Sequence, residues 1–133
     1  MRLNKYQKAW IARLKSGKTR KCINALNDGE GRHCCLGVAI NTCKLERIER
    51  ISSRSLEDLY DYKKTLESLN LRDGEGHFLV DKISEKWKQV LENQESKEGL
   101  DSLIRLNDYT KLSHRQIGEF IDENREAVFL SNT

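Results

Sequence analysis

Cys34-Cys35-Leu36-Gly37-Val38-Ala39-Ile40, followed by Asn41-Thr42-Cys43, is the most apolar stretch of the chain, and its reading decides the fold. A short apolar run fits a buried strand or a buried helix equally, and periodicity alone does not separate them. Leu36, Ile40 and Cys43 fall on one helical stripe, and Gly37 permits a close backbone approach. The expectation is therefore a buried helix beginning near Cys34.

Upstream, a helix is expected from Asn4 to Ser16. Asn4 is its N-cap, Tyr6, Trp10 and Leu14 form its stripe, and Leu3, Gln7 and Ile11 flank that stripe. Gly17 stands where a helix C-cap belongs, with Lys15 and Lys18 at the negative end of the helix dipole. Residues 21–26 suit a short strand, and Asn27-Asp28-Gly29-Glu30-Gly31 is a turn signal.

Downstream, Leu45 to Arg54 is charged and irregular. Ser55 is a cap for a helix to about Leu69, with Leu56, Leu59, Tyr60, Lys63, Leu66 and Leu69 on one face. Asp73-Gly74-Glu75-Gly76 repeats the earlier Asp28-Gly29-Glu30-Gly31, each copy close to a histidine, His33 or His77. Two small hairpins are the simplest reading. Asp81 is the expected cap of a helix to about Gln94 over Ile83, Trp87, Val90 and Leu91, ended by Gly99. A short helix carries Leu100, Leu103, Ile104 and Leu106 and stops at Asn107-Asp108. Ser113 and Gln116 form a capping box for a last helix to about Asn124. Val128-Phe129-Leu130 is an apolar patch that docks on the core or on another subunit. With neither linker nor low-complexity tract, the reading is one domain over residues 1–133. Its class is mainly α (α+β), a compact helical domain with one or two short β-hairpins.

The chain has 133 residues, enough for one modest core, but only 37% are hydrophobic and 34% are charged. Such a thin core makes a homodimer a reasonable expectation. No run approaches the length needed to span a bilayer, and the start is Lys- and Trp-bearing rather than a signal peptide, so the cytoplasm of the cell that makes it is the expected location. There the thiols of Cys22, Cys34, Cys35 and Cys43 stay reduced. Charge is uneven. Eight of the 24 basic residues lie in the first 21 positions, which hold no Asp or Glu, and the other 112 positions carry 16 basic against 21 acidic groups. A positive end of this kind attracts anions, although a Lys-rich helix face is also an ordinary solvated surface.

Several motifs carry candidate chemistry. Cys34 or Cys35 at a helix start, with His33, His77 and His114 available elsewhere in the chain, is a candidate nucleophile for a cysteine hydrolase, although sequence neighbours do not make a dyad. The apolar neighbours favour a structural role instead, since free cysteine is among the most buried residue types. Zinc is disfavoured because the gaps between cysteines, 11, 0 and 7 residues, match no knuckle spacing. The Asp-Gly-Glu-Gly turns lack the oxygen ladder and distal glutamate of a calcium loop. No metal and no cofactor is expected. Ser16-Gly17-Lys18-Thr19 lacks the upstream glycine of a nucleotide-hydrolysing loop and follows a helix instead of preceding one. It still offers an anion site, in which Ser16 and Gly17 supply the turn and Lys18, Arg20, Lys21 and Arg32 pair with phosphates. The segment Leu112 to Ile121 is similar to one helix of a helix-turn-helix, but Asp122, Glu123 and Glu126 follow where phosphate contacts are wanted.

Three blocks together carry a family resemblance: Trp10-x-x-x-Leu14-x-Ser16-Gly17-Lys18; Cys34-Cys35-Leu36-Gly37-Val38; and Leu106-Asn107-Asp108 with Ile117-Gly118-Glu119-Phe120-Ile121. The set resembles small proteins encoded by tailed bacteriophages and prophage regions, over most of the chain. Cys22, Cys43 and the stretch from Lys44 to Arg54 depart from that pattern. The resemblance implies a binding role. Such accessory proteins inhibit a host enzyme, occupy a host protein, or sequester a nucleotide signal of antiviral immunity. It brings no catalytic residues. The leading expectation is a viral binding protein for a phosphate-bearing nucleotide, with Tyr6 or Trp10 available for stacking. The alternatives are a direct inhibitor of a host protein, a nucleic-acid binder, and a cysteine-dependent hydrolase.

Overall fold

In the computed structural model, which describes residues 1–48 and 58–130, helices carry the architecture. They are α1 (Lys5–Lys15), α2 (Cys35–Cys43), α3 (Lys63–Ser68), α4 (Glu85–Glu92), α5 (Leu103–Tyr109), α6 (His114–Glu123) and α7 (Arg125–Val128). A 3-10 turn over Val80–Lys82 precedes α4. The strands are β1 (Arg20–Lys21) and β2 (Arg32–His33). No helix among the described residues is long and apolar enough to cross a membrane. The mainly α class stands.

The centre of the fold is α2. Every residue from Cys35 to Ile40 is buried, as is Cys43, so the helix is covered on all sides. Cys34 caps it, its sulfur accepting the Gly37 N–H at 3.4 Å, and Lys44 ends it in the left-handed conformation at φ 57°. Gly37 is required by packing. A Cβ there would lie 2.0 Å from the Leu26 carbonyl oxygen, the same oxygen that accepts the Cys34 N–H. This explains the glycine of the Cys-Cys-Leu-Gly-Val block.

Helix α1 begins with a reciprocal capping box. The Asn4 side chain accepts the Gln7 N–H and the Gln7 side chain accepts the Asn4 N–H, both at 2.8 Å. Its buried face is Gln7, Trp10, Ile11 and Leu14, while Tyr6 is only half-buried, so the helix is turned slightly from the expected stripe. Gln7 is tolerated in the core because its amide donates to the Leu69 carbonyl at 2.9 Å. The Trp10 indole donates to the Cys35 carbonyl at 2.9 Å and joins α1 to α2. On another side α1 meets α6 closely at Gly118, where a Cβ would come within 2.9 Å of Leu14 and 2.8 Å of Lys15.

Several local expectations are corrected. Strands β1 and β2 pair in parallel, Arg20 opposite Arg32 and Lys21 opposite His33. Of the first expected hairpin only the antiparallel bridge Asn27–His33 remains. The second turn closes no local hairpin, because His77 bridges Ser102 and the Phe78 N–H donates to the Asp101 carbonyl at 3.0 Å. Both Asp-Gly-Glu-Gly copies nonetheless fold alike. Asp28 accepts the Glu30 and Arg32 N–H groups at 2.9 and 3.1 Å, and Asp73 accepts those of Glu75 and His77 at 3.1 Å.

Ser55 and Leu56, the expected start of a long helix to Leu69, lie outside the described residues. Within them α3 starts only at Lys63, because the Leu59 N–H is drawn away to the Gly74 carbonyl at 2.8 Å. Helix α4 is capped by Ser84 rather than Asp81. Phe120 packs on Phe78 and Trp87 at 4.9 and 5.4 Å, and Phe129 meets Trp10 edge-on at 6.3 Å. Val128 and Phe129 thus dock on the chain's own core, while Leu130 stays exposed.

Candidate functional site

The turn after α1 is built from Ser16 and Gly17. The Ser16 N–H closes the helix on Ala12 and Arg13, and Gly17 takes φ 72°, in the region that favours glycine. The Ser16 hydroxyl donates to the Arg13 carbonyl at 2.6 Å and accepts the Lys18 N–H at 3.2 Å. That hydroxyl and that amide therefore serve the turn itself and not a ligand.

The four cations expected around it divide in two. Lys18 is exposed. Arg20 is exposed and donates to the Glu30 carbonyl at 3.1 Å. Lys21 points inward, its ammonium donating to the carbonyls of Thr110 at 3.0 Å and Leu112 at 2.8 Å. Burial lowers its pKa, opposed by the nearby Asp108 carboxylate. Arg32 pairs through Nε with Asp28 and through Nη2 with Glu30 at 3.3 Å. Register sets Arg20 beside Arg32, but the Asp28–Glu30 loop already neutralises the latter. Lys18 and Arg20 are what remains for an external anion.

The basic first helix, expected from the charge map to be the positive end, presents one continuous exposed face. Lys5, Lys8, Ala9, Ala12 and Arg13 are all exposed and continue toward Ser16, Gly17 and Lys18. They form the face of α1 opposite Gln7, Trp10, Ile11 and Leu14. Lys15 is drawn to one side by Asp122 at 2.9 Å. Lys8, Arg13 and Lys18 form no ion pair among the described residues. The signal was present in the sequence as the complement of the buried stripe within an acid-free segment.

The cysteines occupy a different place. Cys34 is buried, and desolvation pushes its thiol up to about 12. Cys35 is fully buried, its pKa raised by the same cause, and its thiol faces the Leu103 carbonyl at 3.6 Å. Neither sulfur is hydrogen-bonded to a histidine. The His33 ring is held by the Asn41 amide at 2.9 Å, and burial lowers its pKa. Burial also raises Cys22 and Cys43 to about 11, and all four thiols are free. A nucleophilic cysteine needs the opposite setting, an accessible sulfur whose thiolate is stabilised.

The two remaining histidines are internal parts as well. His77 Nδ1 meets Asp73 at 2.8 Å within its own loop. His114 is buried with Nδ1 on the Thr19 hydroxyl at 2.7 Å, and its Nε2 has no hydrogen-bond partner among the described residues. Burial lowers the His114 pKa to about 4, and the nearby charge of Lys21 acts in the same direction. The ring is neutral at pH 7. Among the described residues, no group of three or more His, Cys, Asp or Glu side chains is placed to hold a metal ion.

No protein-family model matches the chain, and neither a curated protein nor a solved structure matches it.

Proposed function

We propose that this chain is a binding protein of bacteriophage type that captures an anionic partner on the exposed basic face of α1 and the Gly17 turn. The observation that carries this reading is the acid-free segment of residues 1–21, whose Lys5, Lys8, Arg13, Lys18 and Arg20 all reach solvent. Its most concrete form is capture of a phosphate-bearing nucleotide that serves host antiviral signalling. Lys18 and Arg20 then meet the phosphates, and Lys8 and Arg13 extend the field that attracts them. Trp10 is fully buried, so of the two aromatics considered only Tyr6 remains for a base to stack on.

A second reading draws on the shape of the same face. Ala9 and Ala12 between the cations let another backbone approach α1 closely, which suits an acidic surface of a host protein. The acidic remainder of the chain argues against wrapping a nucleic acid.

Thermal shift against cyclic nucleotides and ADP-ribose derivatives tests the nucleotide form. A ligand at a hundred times its Kd stabilises by about 2.7 kcal/mol, which raises the melting temperature by roughly 10 °C for a domain of this size. Stabilisation by one of these compounds, weakening with added salt, is expected. No stabilisation by any compound at millimolar concentration contradicts the nucleotide form.

A further inference from the structure

At the other end of α1, the segment Met1–Asn4 runs beside the close of the described chain. Arg125 Nη1 donates to the Met1 carbonyl at 3.3 Å, and the Asn4 amide donates to the Ser68 carbonyl at 2.8 Å. Between this segment, the stretch around Arg72, the 3-10 turn and the end of α7 lies an open groove of about 1010 Å³. That is the size of a small-molecule site, and a mixed lining of apolar floor and few polar groups is its usual character.

The lining has a definite polarity. Among the described residues, Leu3, Leu79 and Leu130 supply apolar surface to the lining, and Arg2, Arg72 and Lys82 supply positive charge beside one carboxylate, Glu126. Arg72 is held rigidly, Nε donating to the Ala127 carbonyl and Nη2 to those of Glu126 and Phe129 at 3.2–3.4 Å. Its Nη1 donates in none of these bonds. A guanidinium fixed from one side in this way is preorganised for an anion on the other. Lys82 is exposed and forms no ion pair among the described residues. Asn4, the N-cap of α1, also lines this groove, at the end of the helix where the dipole favours an anion. Among the described lining residues the one aromatic, Phe129, is fully buried, so they offer no ring face to a nucleobase.

We infer that this groove is a second binding site, for a small amphipathic anion with a carboxylate or phosphate head and an aliphatic body. The head sits between Arg72 and Lys82, and the body lies along Leu3, Leu79 and Leu130. The site is separate from the basic α1 face and stands or falls independently of it.

Calorimetric titration of the full chain with octyl phosphate, octanoate and neutral octyl glucoside, each below its micelle concentration, tests the inference. Saturable binding of one octyl phosphate or octanoate per chain is expected, with octyl glucoside much weaker. Binding of both anions makes the head any small anion, and binding of octyl phosphate alone assigns a phosphate head. Lys82→Glu should weaken binding by about tenfold, the size expected when a cation facing an anion is reversed. Lys97→Glu makes the same charge change at an exposed position outside the groove and should leave affinity unchanged. Equal affinity for octyl glucoside, unchanged binding in Lys82→Glu, an equal loss in Lys97→Glu, or no saturable binding overturns it.

Discussion

The Asn107 side chain accepts the backbone N–H of Cys35 at 3.0 Å and donates to the Cys22 carbonyl at 2.8 Å. Asn107 is fully buried, so this one amide ties the first turn of α2 to α5 and to the end of β1. The Cys-Cys-Leu-Gly-Val block and Leu106-Asn107-Asp108, far apart in the chain, are two halves of one structural joint. Asn107→Ala removes both bonds and leaves buried groups unsatisfied. A loss of about 2–3 kcal/mol in urea-unfolding stability is expected, and a loss within experimental error contradicts this role.

The same joint places Cys34 and Cys35 beyond the reach of reagents. With the Cys34 thiol pushed up to about 12 and Cys35 raised too, the thiolate population at neutral pH is minute. Alkylation of the native protein, followed by peptide mass spectrometry, should find both at least about a hundredfold slower than in the unfolded chain. Fast native modification of either at pH 7 would return the cysteine-hydrolase reading.

Gly37→Ala forces a methyl group against the Leu26 backbone, 2.0 Å from its carbonyl oxygen, where no flexible side chain is available to yield. The cost should be about 3 kcal/mol or more, above the usual range for overpacking, and visible as a large fall in the urea midpoint. Gly99→Ala is the comparison. A Cβ there meets only the end of the Arg105 side chain, at 3.4 Å, and should change stability little.

Much of this joint was legible in the sequence, and the reasons are local. Ser113 and Gln116 close their capping box as the S-x-x-Q spacing requires, and α2 is the helix toward which the Leu36, Ile40, Cys43 stripe leaned between two open readings. The failures come from partners distant in the chain. Asp81 and Ser84 are both good caps, and the Asn124 side chain decides between them by accepting the Ser84 N–H at 2.8 Å. Lys21 looked like a phosphate ligand because its true acceptors, the Thr110 and Leu112 carbonyls, lie about 90 residues away. The candidate site suffered most, since surface charge is readable from composition but its neutralisation by Asp28 or a remote carbonyl is not.

His114 gives a pH signature. Its pKa falls from an ordinary 6.5 to about 4 on folding, so the unfolded chain binds the extra proton between these values. The stabilisation is complete above pH 6.5 and is lost as pH falls toward 4, by up to about 3 kcal/mol. Urea unfolding at pH 7 and pH 4.5 should show this fall, and His114→Gln should reduce it. An identical pH dependence in that variant would assign the effect elsewhere.

The α1 face carries the functional claim, and charge reversal tests it most directly. The measurement is the thermal shift produced by the best-stabilising nucleotide of the panel, compared between the native chain and Lys8→Glu/Arg13→Glu/Lys18→Glu. All three side chains are exposed, so the melting temperature without ligand should move only slightly. The account predicts that the shift seen with the native chain disappears in the variant. A shift of the same size in both proteins, or none in the native chain, contradicts it.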